Sequence, residues 1–515
     1  MTSRGLPPTT TRSTDSSLTR QLSALDDTQQ KQSAASHLSQ PISQSELPYG
    51  SADKVSQIAS ASARSSVNLR AILIGLMVPM GMTILNLQMF GVALPSIRDY
   101  FGIHADAVAL LVTAYMLPFV LFTPVYGQLG DSLGKRRLFS FGIVVFSAGT
   151  VICLLSPTLI FLYAGRILQG VGTAGVNPLC IAIITDLFPP GEQGKALGTW
   201  SSTGPATTMV APLIGGFLID RWGWHSIFVP GIMASVVALY VVRGRVPSMR
   251  PPAQPGFLRR FDWLGLILLS GAIVSFVAYF SSRAITGVEP LRDWRMLTLA
   301  VVFTATFLLR EQRTVKPLVP LRLYRYRGFG RASIVAGMRM FLMSSIGMLI
   351  PLYLVDVHGL RAARVGLFIS FMAASLLLTV RYGGRLADRW SRRMPVAVGL
   401  SMQTVAISTI ALLPETAPVW VIPPVLVVYG LGAGLSLAVL HGLAMSHIPH
   451  KESGTAAGLY SMGRFFGSIV GLTVIGVFLQ QILLNRTTIA AYQMTFWFVA
   501  AIAALAVAVI WGVKE

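Results

Sequence analysis

Fourteen times between residues 70 and 513 the chain turns apolar for a long stretch and then breaks into a short charged or turn-rich segment. About 20 helical residues, rising 1.5 Å each, cross the ~30 Å hydrocarbon core of a bilayer. The windows are 70–95, 107–127, 138–156, 159–185, 194–218, 225–243, 262–282, 294–310, 333–354, 365–387, 395–413, 418–441, 454–478 and 493–513, the eighth being the shortest. In hydrocarbon every backbone amide must pair within the protein, and runs of this length do so as helices. The expected fold class is therefore an all-α polytopic membrane protein with fourteen transmembrane spans.

Composition agrees with this. Charged residues make up 12% of the 515 positions, against about 25% in a soluble domain. A net charge of +21 could suggest nucleic acid, but the charge lies in short loops between apolar runs, so no nucleic-acid partner is expected. The two cysteines, Cys153 and Cys180, fall inside apolar runs, and no Cys/His cluster has metal-ligand spacing, so no metal or cofactor is expected. Residues 1–66 are rich in Ser, Thr, Gln and Pro without apolar periodicity, and read as a disordered tail.

An even number of spans puts both termini on one side. Of the 41 Lys and Arg, 30 lie on the side of the N-terminus, eight on the other and three inside spans. By the positive-inside rule both termini are cytoplasmic, and a multi-pass protein of the plasma membrane is expected.

Eleven residues occur twice in similar form: Gly127-Gln-Leu-Gly-Asp131-Ser-Leu-Gly134-Lys-Arg136-Arg137 and Gly384-Arg-Leu-Ala-Asp388-Arg389-Trp-Ser-Arg392-Arg393-Met394. The offset is 257. A second correspondence, at 260, matches Pro189, Glu192, Gly194 and Gly198 with Pro449, Glu452, Gly454 and Gly458, and Gly170 and Gly172 with Gly430 and Gly432. Spans 2, 4 and 5 thus correspond to spans 10, 12 and 13. The unit is six helices repeated in the same orientation, with two further helices between the copies. The expected division is a tail (1–66), a six-helix half (67–243), a basic linker (244–261), two extra helices (262–310), a basic loop (311–332) and a second six-helix half (333–515). Spans 5 and 13 are glycine-rich (Gly194, Gly198, Gly215, Gly216; Gly454, Gly458, Gly463, Gly467, Gly471). Small residues at this spacing allow close helix packing, or a bend used when two halves rock.

Residues 70–513 resemble the major facilitator superfamily, and within it the fourteen-span drug:proton antiporter group. The doubled loop is similar to that superfamily's motif A. Leu162-Tyr-Ala-Gly-Arg166-Ile-Leu-Gln169-Gly170-Val-Gly172-Thr-Ala174 resembles motif B, and Gly198 through Ala211-Pro212-Leu-Ile-Gly215-Gly216 resembles motif C, the exporter signature. Phe261-Asp262-Trp263-Leu-Gly265 resembles the entrance to span 7 of the fourteen-span group. The resemblance implies two six-helix halves plus two helices, gating by Gly127, Asp131, Gly134, Arg136, Gly384, Asp388, Arg389 and Arg393, and a helix-bend motif at Gly198, Pro212, Gly215 and Gly216. It also implies a part for Arg166 in proton coupling. Span 1 departs from the family pattern: Asn86 stands where the group has an acid, ahead of Gly91-Val-Ala-Leu-Pro95.

Ionisable groups at mid-membrane are costly and mark function or a structural pairing. Arg166, Arg339 and Arg464 qualify, and no carboxylate lies near a span centre. With Asn86, Gln88 and Gln169 they form the expected cavity set, on spans 1, 4, 9 and 13. Met338, Met340, Met343 and Met348 offer an adaptable apolar wall or ordinary packing. Arginine keeps its proton at any working pH, so a coupling proton needs another group; His441 near the end of span 12 is one candidate.

The chain carries no Gly-x-Ser-x-Gly elbow, His-Glu-x-x-His or phosphate loop, so no catalytic residues are expected. The expected function is secondary active transport: efflux of small anionic or neutral amphipathic compounds by alternating access, with protons as coupling ion, by a monomer in the lipid bilayer. The alternatives are a metabolite or lipid facilitator of the same fold, and a non-transporting receptor or scaffold.

Overall fold

The computed structural model describes residues 69–247, 262–314, 319–326, 328–389, 391–446, 448–449 and 452–512, less the side chains of Gln128, Asp131, Pro190, Ala284, Leu321, Arg381, Asp388, Ala438 and Ser453. The expected tail (1–66), most of the basic linker (248–261) and the gating carboxylates of Asp131 and Asp388 lie outside the described residues.

Each apolar run folds as helix, and no strand occurs among the described residues. The first set comprises α1 (Leu69–Phe101), α2 (Ala105–Leu133), α3 (Lys135–Leu154), α4 (Leu159–Thr173), α5 (Val176–Leu187), α6 (Pro190–Ser201), α7 (Thr203–Trp222) and α8 (Phe228–Arg245). Then come α9 (Trp263–Phe280), a short α10 (Ser282–Thr286) and α11 (Trp294–Arg313). The second set is α12 (Phe329–Asp356), α13 (Ala362–Arg389), α14 (Arg393–Leu412), α15 (Ile422–Met445), α16 (Ser453–Leu483) and α17 (Thr488–Trp511). Helices α4 and α5 form one span broken at residues 174–175, and α6 and α7 one span broken at Ser202.

Thirteen spans among the described residues are long and apolar enough to cross a membrane. The fourteenth expected run forms as α11 and packs against α9. It is not in that count: Arg295, Arg310, Glu311 and Arg313 make it the more polar partner of the pair. Asp262 joins the two helices. Its carboxylate accepts from the Gly265 amide at 2.8 Å, capping α9, and pairs with Arg310 of α11 at 2.6 Å.

Two bundles repeat the same packing. In the first, α3 lies on α4 and α8, and α1 on α7 and α8; in the second, α14 lies on α15 and α17, and α12 on α16 and α17. Glycine sets the tightest crossings. A Cβ on Gly142 would stand 2.7 Å from the Gly172 carbonyl oxygen, and one on Gly399 would stand 2.4 Å from that of Gly432. These are the same contact in the two repeats, since 142 plus 257 is 399 and 172 plus 260 is 432.

The helix directions define two ends. The doubled loops occupy one, the loop end; Phe101–Ala105, Trp222–Phe228 and Asp356–Ala362 occupy the other, the far end. At the loop end Gly134 alone turns the chain from α2 into α3, with φ +91°, a conformation that favours glycine.

The bundles meet where α7 crosses α13 and where α2 crosses α16. A Cβ on Gly366 would meet the Pro212 carbonyl oxygen at 2.1 Å; one on Gly216 would meet that of Ala362 at 2.4 Å; one on Gly476 would meet the Ala109 Cβ at 2.4 Å. So Gly216 of the helix-bend motif is a close contact between bundles. Gly215 is one within its bundle, against Met89 at 3.1 Å, while Gly198 faces open space.

Candidate functional site: a cavity between the bundles

The far end is closed by polar contacts that cross from bundle to bundle. The Arg98 guanidinium grips the Asp356 carboxylate at 2.5 and 2.6 Å, and the Tyr492 hydroxyl donates to the same carboxylate at 2.5 Å. Asp220 accepts from the Ala362 and Ala363 amides at 3.0 and 3.1 Å, and Gln480 accepts from the Ala105 amide at 3.0 Å. Nearby, burial lowers the pKa of the His358 imidazole and the Glu415 carboxylate partly opposes it; the ring packs edge-on against Tyr353.

Among the described residues, the following contacts at the loop end stay within one bundle or its flanking loop. Lys135 pairs with Asp186 at 2.5 Å, Arg136 donates to the Arg243 carbonyl, and Arg322 pairs with Glu452 at 2.8 Å. Arg136 thus sits on the carbonyl end of α8, where the helix dipole favours a cation. Gly127 packs on Pro178 at ordinary distance, Gly384 is half-buried, Arg389 is exposed in the last turn of α13, and Arg393 opens α14.

Between the bundles lies a cavity of about 170 Å³. Its wall draws on α1, α2 and α7 from the first bundle and α12, α13, α15 and α16 from the second. Met116, Met340, Met343, Met348 and Met372 line it, with Phe90 and Tyr429; the polar atoms come from Gln88, Thr208, Ser344, Tyr429 and Ser468. Among the described residues, no charged side chain occurs in this wall. Unbranched thioethers fill irregular space and adapt to ligands of different outline.

Of the six residues expected to line a cavity together, Gln88 lies in this wall. Three others form a buried cluster inside the first bundle. The Arg166 Nη1 donates to Asn86 Oδ1 at 3.1 Å and to Gln169 Oε1 at 2.9 Å, and the Gln169 amide donates to the Thr150 hydroxyl at 3.0 Å. The Phe90 and Tyr115 rings cover the guanidinium at 3.9 and 4.5 Å. Asn86 is therefore one of two side-chain acceptors that hold a buried arginine. Arg339 is held in the second bundle by the Ser436 hydroxyl at 3.0 Å and the Ala433 carbonyl at 3.1 Å. Arg464 lies near the Tyr460 and Phe465 rings, 5.8 Å from each. Arg166 and Arg339 thus lie outside this wall, while half-buried Arg464 approaches it, its Nη2 standing 3.8 Å from the Sδ of the cavity-lining Met340. A guanidinium without a carboxylate is stabilised by carbonyls, amides and ring faces, and each bundle's interior supplies them, whereas the open apolar wall does not.

Met340, Met343 and Met348 line the cavity as the methionine pattern suggested, while Met338 lines an outer groove. The walls from α2, α7, α13 and α15 were missed, while α16, as span 13, was in the expected set. The repeat offsets could have found them: Val112 and Ile369, Met116 and Ala373, and Thr208 and Ser468 are equivalent positions, and all six line the cavity. His441 is exposed and packs edge-on against the Tyr460 ring at 5.2 Å.

Residues 76–472 match the Major Facilitator Superfamily. This chain belongs to that superfamily. It is 26% identical over 445 residues to the MFS-type transporter YvkA of Bacillus subtilis (strain 168), covering 86% of this chain and 96% of that protein. It is 28% identical over 396 residues to the multidrug resistance protein Stp of Mycobacterium tuberculosis (strain CDC 1551 / Oshkosh), covering 77% and 73%. The fold matches a bacterial homologue of the human lysosomal transporter Spinster, in an inward-facing and unoccupied conformation, with a TM-score of 0.60 at 17% identity over 87% of this chain and 96% of that one. The chain is a multi-pass membrane transporter of this superfamily, a class that moves small molecules, and not an enzyme.

Proposed function

We propose that this transporter exports small, uncharged amphipathic compounds by alternating access, with the loop end and both termini at the cytoplasmic face of the plasma membrane. One observation carries the reading: the cavity sits between the bundles, its wall is apolar and methionine-rich, and five uncharged polar side chains punctuate it. A cavity of this order accepts one aromatic ring. The far-end contacts close one exit, so the substrate enters from the loop end. Rocking of the bundles then exchanges the closed end, and the Arg166, Asn86 and Gln169 cluster keeps the first bundle rigid as it moves. The repeated basic loops gate the cytoplasmic side, and the Stp similarity favours drug-like cargo. Protons are the proposed coupling ion.

A second reading, facilitated diffusion of a metabolite, is favoured by Asn86. Its amide occupies the family's acid position and exchanges no proton in the working range.

The test is accumulation of an uncharged lipophilic fluorophore in an efflux-deficient host. A Cβ on Gly347 meets nothing within 4 Å and the residue lines the cavity, so Gly347→Phe fills the space without a clash at its first atom. The expected result is low dye retention with the wild type and full retention with Gly347→Phe at equal membrane abundance. Equal retention in both would overturn export through this cavity. Wild-type export that persists after collapse of the proton gradient would favour the facilitator.

A further inference from the structure

A groove of about 590 Å³ opens on the outside of the first bundle at the loop end, between the start of α3 and the finish of α8. Its wall is Arg136, Arg137, Ser140, Phe141, Val144 and Arg243. The helices are pinned one above the other by the hydrogen bond between the Ser147 and Ser235 hydroxyls at 2.8 Å. Arg136, Ser140 and Val144 recur at spacing four along α3, and Arg137 and Phe141 do the same on the adjacent row, so all face the same side.

The chemistry of this groove changes along its length. At the loop end three arginines line the groove, and no ion pair to Arg136, Arg137 or Arg243 occurs among the described residues. Arg136 is fixed by its bond to the Arg243 carbonyl, while Arg137 and Arg243 are exposed. One and two turns deeper, Phe141 and Val144 are 57% and 43% exposed. On a spanning helix such apolar side chains face acyl chains. Three cations at the membrane surface with an apolar strip running inward match a ligand with an anionic head and a hydrocarbon tail.

We infer that this groove binds an anionic phospholipid, its phosphodiester held by Arg136, Arg137 and Arg243 and its acyl chain lying along Phe141 and Val144. A headgroup that adds a cation, such as choline, brings like charge against three guanidiniums and is disfavoured. The bound lipid would hold the α2–α3 turn, the first copy of the doubled loop, to the end of α8. This site is independent of the central cavity and of what the cavity carries.

The test uses the purified full chain in detergent, with lipid retention read by native mass spectrometry and thermal unfolding read in parallel. Phosphatidylglycerol, phosphatidylcholine and inorganic phosphate are added separately. Phosphatidylglycerol is expected to be retained and to raise the unfolding midpoint, with no effect from the other two. Each of Arg137→Gln and Arg243→Gln should lower retention roughly fivefold, and Arg137→Lys should keep most of it. Phe141→Ser should weaken lipid retention through the lost apolar contact. The lipid-free midpoint of each glutamine variant should equal that of the wild type, which separates lost binding from lost folding; if one falls, the other single variant decides. Equal retention of phosphatidylcholine, retention unchanged in both glutamine variants, or an equal midpoint shift with inorganic phosphate would overturn the proposal, the last by showing an anion site without a lipid.

Discussion

Asp220 and Gln480 stand 260 positions apart and make the same contact in opposite directions. Asp220, at the end of α7, caps the amides that open α13 at Ala362, and Gln480, near the end of α16, caps the amide that opens α2 at Ala105. The capped residues are themselves repeat equivalents, 257 apart, as Gly216 and Gly476 beneath them are at 260. Each cap crosses between bundles, so each is lost when the far end opens. A carboxylate on a helix N-terminus contributes about 0.5–2 kcal/mol. Asp220→Ala should therefore shift the closed-to-open ratio of the far end by roughly 5–30-fold for a loss of about 1–2 kcal/mol, and Gln480→Ala by less. A cysteine at Ile97, fully buried under this end, reports the change: its labelling by an impermeant maleimide should accelerate in Asp220→Ala. Cys153 and Cys180 are buried and give no background. Unchanged labelling would remove the caps from the gate.

Arg98 and Asp356 form the other bridge. Removing Arg98 leaves a carboxylate 13% exposed with Tyr492 as its remaining donor. Bonds to charged groups are worth about 1.5–3 kcal/mol, so Arg98→Ala should open the far end about as much as Asp220→Ala. The exchange Arg98→Asp with Asp356→Arg should recover part of the loss, because the Tyr492 hydroxyl can accept where it donated. A double-mutant cycle read by the same labelling gives the coupling; independent, additive effects would count against a bridge.

Near these contacts, burial lowers the pKa of His358, with Glu415 partly opposing. Its folded pKa lies below the unfolded value of about 6.5, so folding opposes protonation. The stability this residue permits is complete above pH 6.5 and declines as pH falls below it. The unfolding midpoint should drop between pH 7.5 and pH 5.5, and the drop should shrink by a few degrees at most in His358→Gln. A larger drop in the variant would reverse the assignment.

Much of this architecture was legible in the residues. Run length gave the helices, since hydrocarbon leaves the backbone no other partner, and the two offsets marked the equivalent crossings Gly142–Gly172 and Gly399–Gly432. The cavity was less legible. Arg166 and Arg339 read as cavity charges because one sequence shows depth but not direction; both point into their own bundles. Apolar residues such as Met116 and Ile369 carry no signal beyond their span, and only the repeat register marks them.

Asn86 and Arg166 can be tested as a pair. Arg166 is fully buried, with amide and carbonyl acceptors and two ring faces in place of a carboxylate. Asn86→Leu removes one acceptor from a buried cation and should destabilise by about 2–3 kcal/mol. Asn86→Asp keeps the acceptor and adds a charge, and should fold at least as well as the wild type. Unfolding midpoints in one detergent check the order: aspartate at or above asparagine, leucine well below. A leucine variant as stable as the wild type would show that Arg166 is held by Gln169 and the rings alone.

The glycine crossings give the sharpest contrast between packing and cavity. At Gly432 an added Cβ would approach the Gly399 carbonyl oxygen to 2.4 Å, and Gly399 meets Gly432 at the same distance. Backbone atoms cannot yield as a side-chain tip can, so α14 and α15 must separate along their length, at a cost of about 1–3 kcal/mol or more for overpacking. At Gly347 the same addition meets open space. Gly432→Val should therefore lower the unfolding midpoint and the amount of protein in the membrane, whereas Gly347→Phe should leave both near wild type and remove transport. Fluorescence-detected size exclusion of the two variants separates the outcomes. A well-folded Gly432→Val would mean that α14 and α15 are not locked by the crossing that the repeat places there.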